Sequence, residues 1–185
     1  MVARDGSGRL RILEAASALA REAGPGNLSL DAVAARAGVS KGGLLYHFPS
    51  KAKLLEAVVE LFLESFGASL AIRERELEGE PEPVLRSYLD LFVQEHRCHQ
   101  PPPSGVLAAL AENPDFLKPV RRFERGLLDR MKADSHDPAL AMLIFLAIHG
   151  FRSMQLLNVE IVGEAEFEQV LKRINDLLGA EGETS

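Results

Sequence analysis

The chain has 185 residues, 46% of them hydrophobic and 26% charged, with a net charge of −6 and one cysteine. That balance excludes wholesale disorder, and a single Cys excludes an intrachain disulfide and suits a reducing compartment. No apolar run reaches the roughly 18 residues of a membrane span, and the polar, glycine-rich stretch from Met1 to Gly8 offers no apolar core for a signal peptide, so no membrane partner and a cytoplasmic location are expected.

The apolar spacing predicts an all-α chain of about nine helices. Ile12, Ala15, Ala16, Leu19 and Ala23 share one helix face, and Gly24-Pro25-Gly26 stops that helix. Ser29 is placed to cap a second helix, Leu30 to Ala37, which Gly38 can end in the left-handed conformation. Ser40 can cap a short third helix, Lys41 to Phe48, and Ser50 a long fourth from Lys51 to near Glu78. A fifth runs from Pro83 to near His96 and breaks at Pro101-Pro102-Pro103; Ser104 caps a short sixth. Asn113-Pro114 and Asp137-Pro138 each set a capping side chain before a proline, opening a seventh helix to near Ala133 and an eighth to near Glu160. A ninth spans Glu164 to Leu178. No alternating strand pattern with hairpin signals and no internal repeat occurs.

Charge is distributed unevenly. Residues 1–53 hold eight basic and four acidic groups, a net +4, which leaves −10 on the remainder. A basic end on an acidic body suits a small domain that meets an anion. Within that end, the second and third helices are joined by Gly38-Val39-Ser40, the layout of a helix-turn-helix and also of a plain helical hairpin. The third helix opens Ser40-Lys41-Gly42-Gly43. Two glycines in a helix cost about 1 kcal/mol each relative to Ala, a cost suited to a helix whose backbone must approach a bulky ligand. Lys51 in the first turn of the fourth helix opposes the helix dipole, which a phosphate at that terminus would offset. Ser29, Lys41, Tyr46, His47 and Lys51 then converge on one anion-binding face.

The stretch Leu28-Ser29-Leu30-Asp31-Ala32-Val33-Ala34, followed by Ala37-Gly38-Val39-Ser40-Lys41-Gly42-Gly43-Leu44-Leu45-Tyr46-His47-Phe48-Pro49-Ser50-Lys51, resembles the DNA-binding signature of the TetR/AcrR transcriptional regulators. The resemblance is close over residues 9 to about 60 and rests beyond that on helix number and length. It implies an all-α homodimer: a three-helix helix-turn-helix domain over residues 1–50, then a ligand-sensing and dimerisation bundle over residues 51–185. It also implies a double-stranded operator as partner, released by a small-molecule effector. By position it makes Ser29 a phosphate contact, sets Ser40, Lys41 and Gly42 at the head of the reading helix, makes Tyr46 and His47 phosphate or base contacts, and makes Lys51 a phosphate clamp. Two positions depart from the family pattern. Leu45 stands where Tyr is usual, and Gly43 stands where a side chain is usual. Specificity must then lean on Lys41, Tyr46 and Arg4 or Arg9. Packing against the fourth helix is the other reading of Tyr46, and a hydrogen bond within the domain the other reading of His47.

The eighth helix is apolar all round from Ala139 to Phe151, which a soluble helix tolerates only when covered on every side. With the stripe of the ninth it could form a two-fold four-helix interface, for which Leu143, Phe151, Phe167, Val170, Leu171 and Ile174 are the candidates. An effector cavity is expected among Phe62, Phe66, Tyr88, Phe92, Phe116, Phe145, His149 and Arg152, although a Phe at helical spacing is more often plain core than pocket wall. Mostly apolar walls point to a lipophilic effector. Arg152 requires a carboxylate, internal or on a ligand. His96-Arg97-Cys98-His99 has zinc-binding residue types but no second cluster at finger spacing, so neither metal nor cofactor is expected. Enzymatic di-iron chemistry needs Glu-x-x-His pairs, and none of the five histidines has a Glu three residues before it. A DNA-binding helical dimer without an effector, serving an architectural or protein-interaction role, is the alternative.

Overall fold

The computed structural model describes residues 3–23, 28–98, 117–157, 159 and 161–180. Among them are eight helices and no strand: α1 (Ala3–Ala23), α2 (Leu30–Ala37), α3 (Lys41–His47), α4 (Lys51–Glu76), α5 (Pro83–Arg97), α6 (Lys118–Asp134), α7 (Pro138–Leu157) and α8 (Glu164–Ala180). The short sixth helix expected after Ser104 and the Asn113-Pro114 opening lie outside the described residues. The helix from Pro138 stops at Leu157 instead of near Glu160, with the Val159 N–H donating to the Met154 carbonyl (2.9 Å), and α1 reaches back to Ala3 through two glycines.

The chain divides into two compact units, Met1–Gly67 with Pro103–Glu124 and Ala68–Pro102 with Arg125–Ser185. In the first, α1 contributes Ile12, Leu13, Ala16 and Ala20 to a core completed by Val33, Ala34 and Ala37 of α2, Leu44 of α3, Phe48, and Leu54, Leu55, Val58 and Val59 of α4. Three serines start three helices. Ser29 Oγ accepts from the Ala32 N–H (3.1 Å), Ser40 Oγ from the Gly43 N–H (3.0 Å) and Ser50 Oγ from the Lys53 N–H (3.2 Å). Gly38 ends α2 at φ 65°, where its N–H meets the Ala34 and Ala35 carbonyls; a side chain is disfavoured in that conformation, and the chain reverses there to enter α3.

In the second unit, one face of α5 (Leu85, Tyr88, Leu89, Phe92) and one of α8 (Phe167, Leu171, Ile174, Leu178) supply the buried stripes. The Asp137-Pro138 cap forms: Asp137 Oδ1 accepts from the Ala139 and Leu140 N–H groups at 2.8 and 3.1 Å. Asp134 Oδ2 caps α5 by accepting from the Val84 N–H (2.9 Å), and the Arg86 guanidinium donates to the Leu178 carbonyl (3.0 Å), tying α5 to the end of α8.

Candidate nucleic-acid interface

The third helix is held by little. Of its seven residues only Leu44 is buried, with Phe48 sealed just beyond it. Everything else at the head of α3 faces outward: Ser40, Lys41 and Gly42 are exposed, and Gly43 is half-buried. A Cβ on Gly42 would meet nothing nearer than Ser40 Oγ at 4.0 Å, so internal packing does not demand that glycine. Gly43 differs. A Cβ there would come within 3.3 Å of the capping Ser40 Oγ, so this glycine also eases the cap. Tyr46 is 76% exposed, which sets aside packing against the fourth helix. Its ring meets His47 edge to face at 5.2 Å. His47 is half-buried, and a Cβ on Gly8 would lie 3.3 Å from its Nε2; the ring therefore fills the crease beside α1.

Charges around this face are arranged in pairs. The Lys41 ammonium lies 2.9 Å from Asp31 Oδ1 and 3.1 Å from Oδ2, joining the first turn of α3 to the first turn of α2. Arg36 forms a fork with both carboxylate oxygens of Glu22 (2.8 and 2.6 Å), bracing α2 against α1. Hydrogen bonding to Glu22, and then its charge, raises the Arg36 pKa above its ordinary value. The hydrogen bond to Glu56 raises that of Lys53 in the same way. Arg9 lies with its guanidinium 5.5 Å from the centre of the Phe48 ring, so it packs on its own domain, while the Arg4 side chain lies outside the described residues. Lys51 sits half-buried in the first turn of α4. Ser29 and Ser40 spend their lone pairs as caps and keep a hydroxyl hydrogen to donate. An exposed helix head with hydroxyls, an ammonium, a phenol and a backbone clear of side chains is chemically suited to duplex DNA, whose phosphates take such donors and whose major groove admits one helix.

Residues 12–58 match the family model for bacterial regulatory proteins of the tetR family, and residues 82–179 match the tetracyclin repressor-like C-terminal domain. The chain belongs to the TetR family of DNA-binding transcriptional regulators. Such regulators act by binding DNA and not by catalysis. The fold agrees: a TetR transcription regulator from Haloarcula marismortui superposes with a TM-score of 0.71 at 19% identity, covering 95% of this chain and 98% of that one. The multidrug binding protein EbrR complexed with malachite green (TM-score 0.64, 24% identity, 90% and 96% covered) and Salmonella enterica GusR (0.59, 21%, 93% and 95%) are similar in fold too. No curated protein matches the chain in sequence.

The residues expected to sense an effector fall into two clusters. In the first unit of this TetR-family chain, Phe62 and Phe66 stack at 6.3 Å, and Phe66 meets Phe123 edge to face at 5.9 Å. In the second, Tyr88 is fully buried and stacked on Phe145 (5.9 Å), and Tyr88 Oη lies 3.2 Å from His149 Nε2. Arg152 donates to Tyr88 Oη (3.1 Å) and to Glu95 Oε2 (2.7 Å), and lies over the rings of Tyr88 and Phe92. The carboxylate that Arg152 requires is therefore internal. Phe116 lies outside the described residues. A cleft of about 280 Å³ opens elsewhere in this unit, lined by Leu89, Asp90, Val93, Arg97, Glu168, Leu171, Lys172 and Asn175; no expected effector residue lines it.

The expected dimer residues divide by burial within the single chain. Phe167, Leu171 and Ile174 are 3, 5 and 9% exposed, because they form the stripe of α8 that packs inward, and Phe151 sits against Phe92, His96 and Phe167. Leu143 and Val170 remain outward, at 63 and 49% exposed. Among the described residues, the α7 helix is not covered all round. Leu140, Ala141, Ile144, Phe145 and Ile148 face in, while Ala139, Met142, Leu143, Leu146, Ala147 and Gly150 form an exposed apolar stripe. Sequence reasoning missed Met142 and Leu146 because a helix apolar on every side gives no periodicity to orient it. Among the described residues no helix is long and apolar enough to cross a membrane, and no group of three or more His, Cys, Asp or Glu could hold a metal ion. His96 lies 3.3 Å from Glu164 and 3.2 Å from Gln155, Cys98 is exposed, and His99 lies outside the described residues.

Proposed function

We propose that this chain is a cytoplasmic, ligand-responsive repressor that binds a palindromic operator as a homodimer and leaves it when a small, mainly lipophilic effector binds. Residues 1–50 form the DNA-reading domain and residues 51–185 the sensing and dimerisation domain. One observation carries the DNA-reading part: the head of α3 is exposed, free of bulky side chains and set beside the head of α2 by the Lys41–Asp31 pair. Ser29, Tyr46, His47 and Lys51 then serve phosphates, and Lys41 reaches a base edge. The apolar stripe on α7 from Ala139 to Gly150, with Val170 of α8, supports a second copy as its cover. Two such copies would set their α3 helices on half-sites about 34–36 Å apart or at a wider spacing.

The buried aromatic cluster of Tyr88, Phe92 and Phe145 is apolar, which supports a lipophilic effector over a charged one if a ligand enters there. Because Glu95 already neutralises Arg152, an anionic ligand would have to displace an existing partner there. The similarly folded EbrR is complexed with malachite green and with ethidium, so this fold accommodates dye-sized ligands. The same internal satisfaction of Arg152 also favours a second reading, an effector-independent DNA-binding dimer, since no charge in that cluster calls for a ligand.

Lys51→Ala tests the DNA-binding assignment. Operator affinity measured across a salt series should fall on every duplex, and the slope of log K against log salt should flatten by about one per subunit. An unchanged slope would remove Lys51 from the phosphate contacts.

A further inference from the structure

We infer that Asp31 is a specificity-determining residue, which holds Lys41 toward the base edges and away from the phosphates; the inference rests on the DNA-reading role of α3 given above.

The geometry is unusual for a surface that meets a polyanion. Both partners are exposed, with side-chain exposures of 60% for Lys41 and 70% for Asp31. The ammonium nonetheless lies within hydrogen-bonding reach of both carboxylate oxygens, at 2.9 and 3.1 Å. The two residues lie ten apart in sequence on different helices, and the left-handed turn at Gly38 brings them together. Asp31 has a local role as well, since an acid in the first turn of α2 complements the helix dipole. That role does not require Lys41. Glu22, a second acid at this end, is committed to Arg36 in bracing α1 against α2. Asp31 pairs instead with a candidate DNA contact.

A lysine ammonium has three donors and a flexible stem, so on its own it follows the strongest nearby negative charge, which on duplex DNA is a phosphate. A carboxylate beside it changes the choice. Asp31 neutralises much of the charge that would draw Lys41 to the backbone and repels phosphates itself. The ammonium keeps a free N–H to offer to a neutral acceptor such as guanine O6 or N7, and its stem is already partly ordered. An exposed pair of this kind is weak, too weak to block binding. It is enough to bias a partition between backbone and base. Asp31 therefore lowers affinity for random DNA more than affinity for the operator.

The test uses the full-length wild-type chain, Asp31→Asn, Lys41→Met and the double variant. The probes are the duplex that the wild-type chain selects from random sequence and a scrambled duplex of equal length. Asn at this position keeps the size and polarity of the side chain. Asp31→Asn is expected to tighten binding to the scrambled duplex by about 3–10-fold at low salt and to steepen its salt slope by about one per subunit. The ratio of selected to scrambled affinity should fall by a similar factor. In the Lys41→Met background the same substitution should leave the ratio unchanged. An unchanged ratio in the single variant overturns the inference. So does an equal change with and without Lys41, which would make Asp31 a general repulsive charge. A wild-type chain that selects no duplex overturns the DNA-reading premise, an outcome read before any variant is made.

Discussion

Leu143→Glu combined with Leu146→Glu is expected to convert the proposed dimer into folded monomers and to weaken operator binding by at least about 100-fold. In the isolated chain both leucines are more than half exposed, so carboxylates there cost the subunit itself little, within about 0.5 kcal/mol for each substitution. Against a second copy the outcome reverses. Two-fold symmetry would bring four carboxylates into one apolar seam, each losing its hydration without a partner. Sedimentation should then show a monomer with an unchanged circular dichroism spectrum. Operator affinity should collapse because each half-site must bind alone. A variant that still sediments as a dimer would show that α7 does not form the interface.

Leu44→Ala should produce the largest loss of stability confined to the reading helix. Leu44 is completely buried and is the one buried residue within α3. A seven-residue helix with two glycines cannot sustain itself, so its position depends on that anchor, on the Ser40 cap and on Phe48 beyond its end. Truncating a buried leucine costs about 2–5 kcal/mol. The expected readings are a lower urea midpoint, faster amide exchange over residues 41–48 and operator binding weakened at least tenfold. Leu44→Met, which keeps the volume, should leave all three nearly unchanged. Identical exchange rates in Leu44→Ala and the parent would mean that α3 is held by something other than this side chain.

The fold was legible where backbone chemistry speaks locally. Ser29, Ser40, Ser50 and Asp137 were each readable as helix starts because a capping oxygen needs only the next few residues, and Gly38 was readable as a stop because a left-handed turn favours glycine. Which side of a helix faces inward was legible for α5, whose apolar residues fall on one face. It was not legible for α7, where Leu143 and Ile144 are adjacent and equally apolar yet one is 63% exposed and the other 2%. Partner choice among charged groups was the least legible. Nothing local ties Lys41 to Asp31, or Arg152 to Glu95 at a separation of 57 residues, because tertiary pairing has no sequence period. For the same reason Phe167, Leu171 and Ile174 were readable as a stripe, but not as a stripe that serves the chain's own core.

Selection from a pool of random duplexes by the purified wild-type chain tests the central claim most directly. The arrangement of α3 and the apolar face of α7 predict enrichment of an inverted repeat, with half-site centres one helical turn or a wider interval apart. Recovery of no common sequence, or of a single asymmetric site bound by one copy of the chain, would contradict it.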